Sequence, residues 1–342
     1  MDSELLISDM QEKKEGLGED SNPILYADDK DNVILIGVFD GMGGAGSSEC
    51  VSDFSENGVH KTMAYVGSRI VRDAIDMAMR ENPALVTFSD LATELKNIIN
   101  RRYASEKEKY QSKTKAGIRS RLIKEYPTTL AITRITRTAS EYLIDSLWAG
   151  DSRNYIWSKD GLFQISTDDL KGNLDPMQNL HEDAPMSNCI QADSEFKITH
   201  NHIEIPVNEK FVVVSATDGC FGYYPSPMDF ELALYYTLKS AQGIKEFQSS
   251  LTNSFAKISG DDFSYVVAPI GFSSYKEIKS YFGASNKIVK EYYEKQRNLK
   301  SKIRKTEKKL NRLKSNLENS KISSWQKYKR NYLKYTESDE GR

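Results

Sequence analysis

The chain has 342 residues, 39% of them apolar, and a formal charge of −2, which suits one large buried core or one core with an appendage. The balance hides a split, because residues 276–342 carry 20 Lys and Arg against 8 Asp and Glu and the rest carries 27 against 41, a basic segment after an acidic one. Three scattered cysteines (Cys50, Cys189 and Cys220) without CxxC spacing, no basic-then-apolar leader in MDSELLISDM, and no apolar run near the ~18 residues of a membrane span point to reduced thiols in a cytoplasmic protein.

In chain order, β-branched and aromatic residues between turn formers predict strands at 33–39, 129–135, 142–148, 154–157, 196–205, 210–216 and 263–269. Helical periodicity predicts helices over 49–79, over 89–109 after the break at Pro83, and over 229–257. The charged stretch 105–125 belongs on the surface, and 168–195, with several Asn, Asp and Pro, reads as an irregular flap. Strands and helices come in blocks rather than in βαβ alternation, which favours an antiparallel α+β layer fold.

After Gly271 the pattern changes. Val289, Tyr292, Leu299, Ile303, Leu310, Leu313 and Leu317 mark a heptad seam of about four repeats, interrupted by Gln296 and Thr306 and flanked by Lys and Arg. A shorter stripe of Trp325, Tyr328 and Tyr332 follows an expected break at Ser323–Ser324. A helical hairpin and a coiled-coil dimer both fit. The division is a domain over 1–272 and a basic helical extension over 273–342.

The chemistry sits in acids at strand ends. Asp40 closes the apolar run VILIGVF and is followed by Gly41, Met42, Gly43 and Gly44; Asp151 follows a strand in AGDSR; Asp218 follows one in SATDG; Asp261 precedes one in GDDFS; Glu19 and Asp20 sit in GED before the run at Ile24. Carboxylates gathered at one sheet edge repel one another, and divalent cations remove that cost. Oxygen ligands without nearby Cys or His suit Mg²⁺ or Mn²⁺ rather than zinc. Each Asp-Gly alone is an ordinary turn. The DGMGG run lacks the Lys-Ser/Thr of a P-loop and the GxGxxG spacing of a dinucleotide site.

The ordered series GED, VFDGMGG, TTLAITRI, AGDSR, SATDG and GDDFS resembles the PP2C-type (PPM) metal-dependent serine/threonine phosphatases, with DGMGG in the form usual in bacterial members. The resemblance covers residues 1–270. It implies an α-β-β-α sandwich of two antiparallel sheets flanked by helices, with metals at one end. It further implies that Asp40 bridges two metals, that the Gly41 carbonyl binds one of them, that Asp218 and Asp261 complete the coordination of the first ion, and that Glu19 and Asp20 hold the second ion largely through waters. Asp151 would bind a third ion, with Asp218 shared. Two such ions can activate a bridging hydroxide for attack on a phosphate ester.

The chain also departs from the family pattern. Members usually carry an Arg five residues before the Asp of the GED-like motif, where it clamps the substrate phosphate; position 15 is Glu15. Lys13 or Lys14 substitutes for it if the loop is one residue longer, without the bidentate fork of Arg. Met42 replaces the His of many eukaryotic members, Phe221 and Gly222 stand where a second acid follows Asp218, and Asp262 replaces the commoner Asn. Of the remaining candidates, His60, His181, His200 and His202 form no metal spacing, and His200 and His202 read as one exposed polar strand face. Cys220 reads as a small core residue and Arg153 as the partner of a neighbouring acid.

The expected function is an Mg²⁺- or Mn²⁺-dependent hydrolysis of phosphoserine and phosphothreonine in a protein substrate, with Asp40 and Asp218 central and a cognate kinase as a natural partner. One rival is a pseudophosphatase that binds phosphoproteins without turnover, supported by Glu15. Another is a scaffold centred on the basic extension. For that extension an acidic protein surface or self-association is favoured over nucleic acid.

Overall fold

Alternate residues of the run VILIGV serve two different cores. Val33 and Leu35 face one apolar cluster, while Ile34, Ile36 and Val38 face another, so the strand is buried on both sides and reads as an unbroken apolar stretch. The computed structural model describes residues 3–28, 32–50, 61–87, 89–110, 124–172, 175–181, 184–283 and 287–336. Its strands are β1 (Ile7–Gln11), β2 (Ile24–Asp28), β3 (Val33–Val38), β4 (Glu49–Cys50), β5 (Lys61–Thr62), β6 (Leu130–Arg137), β7 (Glu141–Ala149), β8 (Arg153–Ser158), β9 (Gly161–Gln164), β10 (Thr199–Pro206), β11 (Phe211–Ala216) and β12 (Phe263–Ile270). Its helices are α1 (Met63–Glu81), α2 (Leu91–Tyr110), α3 (Asp218–Phe221), α4 (Pro227–Ser240), α5 (Ile244–Ile258), α6 (Tyr275–Gly283) and α7 (Lys287–Tyr332).

Two five-stranded antiparallel sheets stack face to face. Their strand orders are β1-β12-β11-β8-β9 and β10-β7-β6-β3-β2. Ile34, Ile36, Ile135, Ile156, Val213 and Val266 fill the space between the sheets. Helices α1 and α2 cover the outer face of the second sheet through Val66, Ile70 and Leu95. Helices α4, α5 and α6 cover the first sheet through Phe230, Phe255 and Phe282. This is the α-β-β-α sandwich that the family resemblance implies, and an antiparallel α+β layer fold as the block pattern of elements predicts.

Several elements differ from expectation. The helix placed at 49–79 starts only at Met63, because Thr62 caps it by accepting the Tyr65 amide at 3.1 Å. Glu49–Cys50 pairs instead with Lys61–Thr62 as a short ladder. The intervening 51–60, with His60, lie outside the described residues, as do 111–123 of the charged stretch. The helix placed at 229–257 is two helices broken at Ala241, whose backbone is extended. Strands β1 and β9, short or at sheet edges, carry too few apolar residues to stand out. Among its described residues the flap region holds a 3-10 turn at Gln178–Leu180 and takes part in the bridges Thr128↔Ile190 and Leu170↔Met186.

The first compact unit ends at Asn286, beyond the boundary at 272. Helix α6 belongs to it: Tyr275, Ile278 and Phe282 are buried, and the Phe282 ring stacks on Trp157 at 3.9 Å between centroids. The second unit, considered alone, is dominated by α7, one helix of 46 residues that continues through Ser323 and Ser324. The expected break there, and with it a hairpin, is absent. Tyr292, Leu299, Ile303, Leu310, Leu313 and Leu317 are about half exposed along it. Among the described residues no helix is long and apolar enough to cross a membrane.

Candidate active site

The end of β3 is fixed by the two threonines that precede β6. Thr128 donates its hydroxyl to the Asp40 carbonyl at 2.7 Å, the Thr129 amide donates to the same carbonyl at 2.8 Å, and the Asp40 amide donates to the Thr129 hydroxyl at 3.3 Å. The Thr129 hydroxyl also bonds Ser152 Oγ at 2.6 Å, tying the β7–β8 turn to the same point. The backbone of Asp40 is therefore set before any ligand arrives.

Four further acids converge on it. The Asp40 carboxyl lies within hydrogen-bond reach of Asp20 and Asp218, and Asp151 acts on it electrostatically. Asp20, only 2% exposed, accepts the Thr217 hydroxyl at 2.9 Å. Asp218 opens α3, beside Asp261. Asp40, Asp151 and Asp218 keep part of their surface open. A cleft of about 320 Å³ opens beside Asp151 and Asp218, lined also by Arg153, Asp168, His181 and Tyr223.

The electrostatics follow from this crowding. Burial, then the charges of Asp20, Asp218 and Asp151, hold the Asp40 carboxyl well above the usual carboxylate range. Burial pushes Asp20 up to about 8, helped by Asp218 and opposed by the bonds from Asp40 and Thr217. Burial and then Asp218 push Asp151 up to about 8. Asp218 rises to about 6 through burial and then Asp261. Burial also raises Asp261 and Glu19. Two buried carboxyls can stand this close only if one keeps a proton or a cation lies between them, and every ligand atom in the set is oxygen. The residues therefore fit hard divalent ions.

Glu19 sits apart from the centre. Thr62 donates its hydroxyl to Glu19 Oε1 at 2.5 Å, and the acids acting on Glu19 are Asp262 and Asp261. The close approach that requires glycine at position 41 is to backbone: a Cβ there would stand 2.5 Å from the Glu19 carbonyl oxygen and 2.6 Å from that of Ala64. Gly219 has the same cause, since a Cβ would lie 1.8 Å from the Asp262 carbonyl oxygen.

Of the candidate phosphate-binding lysines, Lys13 lies near enough to Asp261 for its charge to act on that carboxyl. Lys13 donates its ammonium to the Ser259 carbonyl at 2.5 Å, and Lys14 is exposed. Arg153 is buried and forks onto Asp168 at 2.8 and 2.5 Å, the acid partner expected from its sequence setting. Cys220 is a core residue: its thiol donates to the Ser264 carbonyl at 3.3 Å, and burial holds its pKa well above the usual range. Phe221, in place of an acid, packs its ring 4.3 Å from the Arg153 guanidinium.

The sequence pattern does not reveal the groups that hold the acids. Asp262 accepts the Lys13 and Glu19 amides, both at 2.6 Å, and so pins the β1–β2 loop to the β12 turn. Thr62, Thr128, Thr129 and Thr217 carry no motif beyond their places beside the acids. Arg69 is equally silent in the sequence; it reaches the Gly18 and Glu19 carbonyls at 3.2 and 3.4 Å from α1.

Solved structures share this architecture. A bacterial serine phosphatase superposes with a TM-score of 0.54 at 15% identity, over 79% of this chain and 98% of that one. The fold is that of the PP2C-type phosphatases. Stp1 of Staphylococcus aureus matches with a TM-score of 0.54 at 16% identity, over 78% of this chain and 94% of that one. A PPM Ser-Thr phosphatase of Mycobacterium smegmatis, in complex with cacodylate, matches at 0.50 and 10% identity, over 78% and 98%. No family model and no curated protein matches the sequence. Within the PP2C-type fold the acid cluster lies where strands of both sheets end. Among the described residues the one group with three His, Cys, Asp or Glu ligand atoms within 4.8 Å of one another is elsewhere: Asp145, His200 and His202.

Proposed function

We propose that the chain is a divalent-cation-dependent phosphatase that hydrolyses phosphoserine and phosphothreonine in proteins of the cytoplasm. The observation that carries this reading is Asp40, a carboxyl fixed at a strand end whose acting neighbours are the carboxyls of Asp20, Asp218 and Asp151. Asp40, Asp20, Asp218, Asp261 and the Gly41 carbonyl would hold two Mg²⁺ or Mn²⁺ ions, with Glu19 beside the second and Asp151 available to a third. Ions bound there supply Lewis-acid charge to a phosphate ester and lower the pKa of a water.

The chain's own part is placement. Thr128 and Thr129 hold the Asp40 backbone, Thr217 orients Asp20, and Asp262 fixes the loop that carries Glu19. The cleft beside Asp151 and Asp218 would receive the phosphoryl group. A PPM Ser-Thr phosphatase that shares the fold forms a complex with cacodylate, a tetrahedral oxyanion. The test is hydrolysis of para-nitrophenyl phosphate and of a phosphopeptide with Mn²⁺, with and without EDTA. Asp40→Asn and Asp218→Asn should each fall below about one-tenth of wild-type turnover at saturating Mn²⁺; turnover above that in either variant overturns the assignment.

A second reading, a phosphoprotein-binding pseudophosphatase, has one observation in its favour. Lys13, Arg69 and Arg153 are each committed to a carbonyl or a carboxylate of the protein, and Glu15 stands at the clamp position. Binding of a phosphopeptide without turnover would favour it. For α7, with 16 Lys and Arg against 4 Glu, an acidic protein surface is the fitting partner, with self-association through the apolar seam as the alternative and a cognate kinase among the candidate proteins.

A further inference from the structure

The outer face of the second sheet carries a group unlike the acid cluster. Arg134 of β6, Asp145 of β7 and His202 of β10 are register partners across three strands. His200 stands two residues from His202 and shares its face. Asp145 is 5% exposed, and its Oδ2 is held by the Arg134 fork at 2.8 and 2.6 Å. The remaining Arg134 nitrogen donates to the Val86 carbonyl at 2.8 Å. Oδ1 is left to the imidazoles: His200 Nε2 stands 3.0 Å from it and His202 Nδ1 2.7 Å. Both histidine side chains are 42% exposed, so solvent reaches the point where the three atoms meet.

We propose that Asp145, His200 and His202 bind a zinc-class divalent cation through two imidazole nitrogens and one carboxylate oxygen. A tetrahedral ion with bonds of about 2.0–2.1 Å keeps its donors about 3.4 Å apart. The present separations need only a small retreat of two surface rings that retain room to move. The Arg134 fork orients the buried carboxylate from behind, as outer partners of ligating carboxylates do. It also neutralises that carboxylate. With two neutral imidazoles the site then carries no net charge, which disfavours a hard ion held by charge alone. It favours a borderline ion held by nitrogen, Zn²⁺ above all, with water in the open position. Glu204, with Oε1 3.5 Å from His202 Nε2, supplies nearby negative charge. The bound ion would fasten the edge strand β10 to β7.

This site is independent of the acid cluster, and its test reads metal rather than turnover. Zn²⁺ is titrated calorimetrically into the full chain in excess Mg²⁺, beside Asp40→Asn and the double variant His200→Gln/His202→Gln. The replaced rings lie at the surface, and a metal-free melt verifies folding; His200→Gln alone serves if the double variant does not fold. Wild type and Asp40→Asn should both take up a Zn²⁺ ion that the histidine variant binds about 100-fold more weakly. Co²⁺ in its place should give a visible absorption band that the same variant loses. Equal Zn²⁺ uptake by wild type and the histidine variant, or no uptake by wild type, overturns the proposal. Failure of the phosphatase reading would appear instead in turnover, which the histidine substitutions do not touch.

Discussion

Replacing Asp20 by Asn removes an acid that the metal-free fold buries only by keeping its proton. Asp20 is 2% exposed, and burial lifts its carboxyl from the ordinary 3.8 to about 8. Between those values the unfolded chain has released this proton and the folded chain has kept it, so stability falls as pH rises from about 4 to about 8. Each pH unit in that window is worth about 1.4 kcal/mol, hence about 4 kcal/mol at pH 7. Asn is nearly isosteric, still accepts the Thr217 hydroxyl, and can donate to Asp40. In EDTA the variant should therefore melt about 8 °C above wild type at neutral pH or higher, at about 2 °C per kcal/mol for a chain of this size. Its melting temperature should change less between about pH 5 and pH 8. Added Mn²⁺ should raise wild type more than the variant, because the cation removes the same penalty. Scanning calorimetry at both pH values tests this. A variant that melts at or below wild type near pH 8, or keeps the wild-type slope, refutes the account of Asp20 as a crowded, buried acid.

Phe282→Ala should cost about 3–5 kcal/mol in denaturant unfolding, because its ring fills the space over Trp157; a chain ending at 272 should unfold more readily still, whereas one ending at 286 should match the full chain. Asp262→Ala should cost about 2 kcal/mol by freeing two amides it now accepts, read as faster hydrogen exchange at Lys13 and Glu19 than elsewhere in the first unit. Removing residues 287–342 should leave hydrolysis of para-nitrophenyl phosphate unchanged and alter self-association or capture of an acidic protein, measured by light scattering at low and high salt; identical mass and identical activity on a phosphoprotein would leave α7 without such a role.

The strongly apolar strands were legible because burial on both faces leaves a continuous signal, as at Val33–Val38. The acids were legible because each follows or precedes such a strand, and the structure brings Asp20, Asp40, Asp151, Asp218 and Asp261 to one place. What holds them was not legible. Thr128, Thr129 and Thr217 act through hydroxyls to residues far away in sequence, and Asp262 acts through two backbone amides. A sequence pattern records neither. The first compact unit runs past residue 272 to Asn286 for a related reason: Tyr275, Ile278 and Phe282 repeat at helical spacing just as the later seam does, and only their burial against the first sheet separates the two. His200 and His202 read as a polar face because Asp145, their common partner, lies on another strand within an otherwise apolar run.

The acids come from both halves of the sandwich. Asp20 and Asp40 flank β2 and β3 of one sheet, Asp218 and Asp261 flank β11 and β12 of the other, and Asp151 lies in the turn where the chain passes between them. A slide of one sheet over the other by a single residue, about 3.3 Å, would part them. The cluster is thus a gauge of alignment between two layers joined mainly by apolar contact. An ion shared across it would act as a rivet, so that the first consequence of chelation would be mechanical: a sandwich freer to shear.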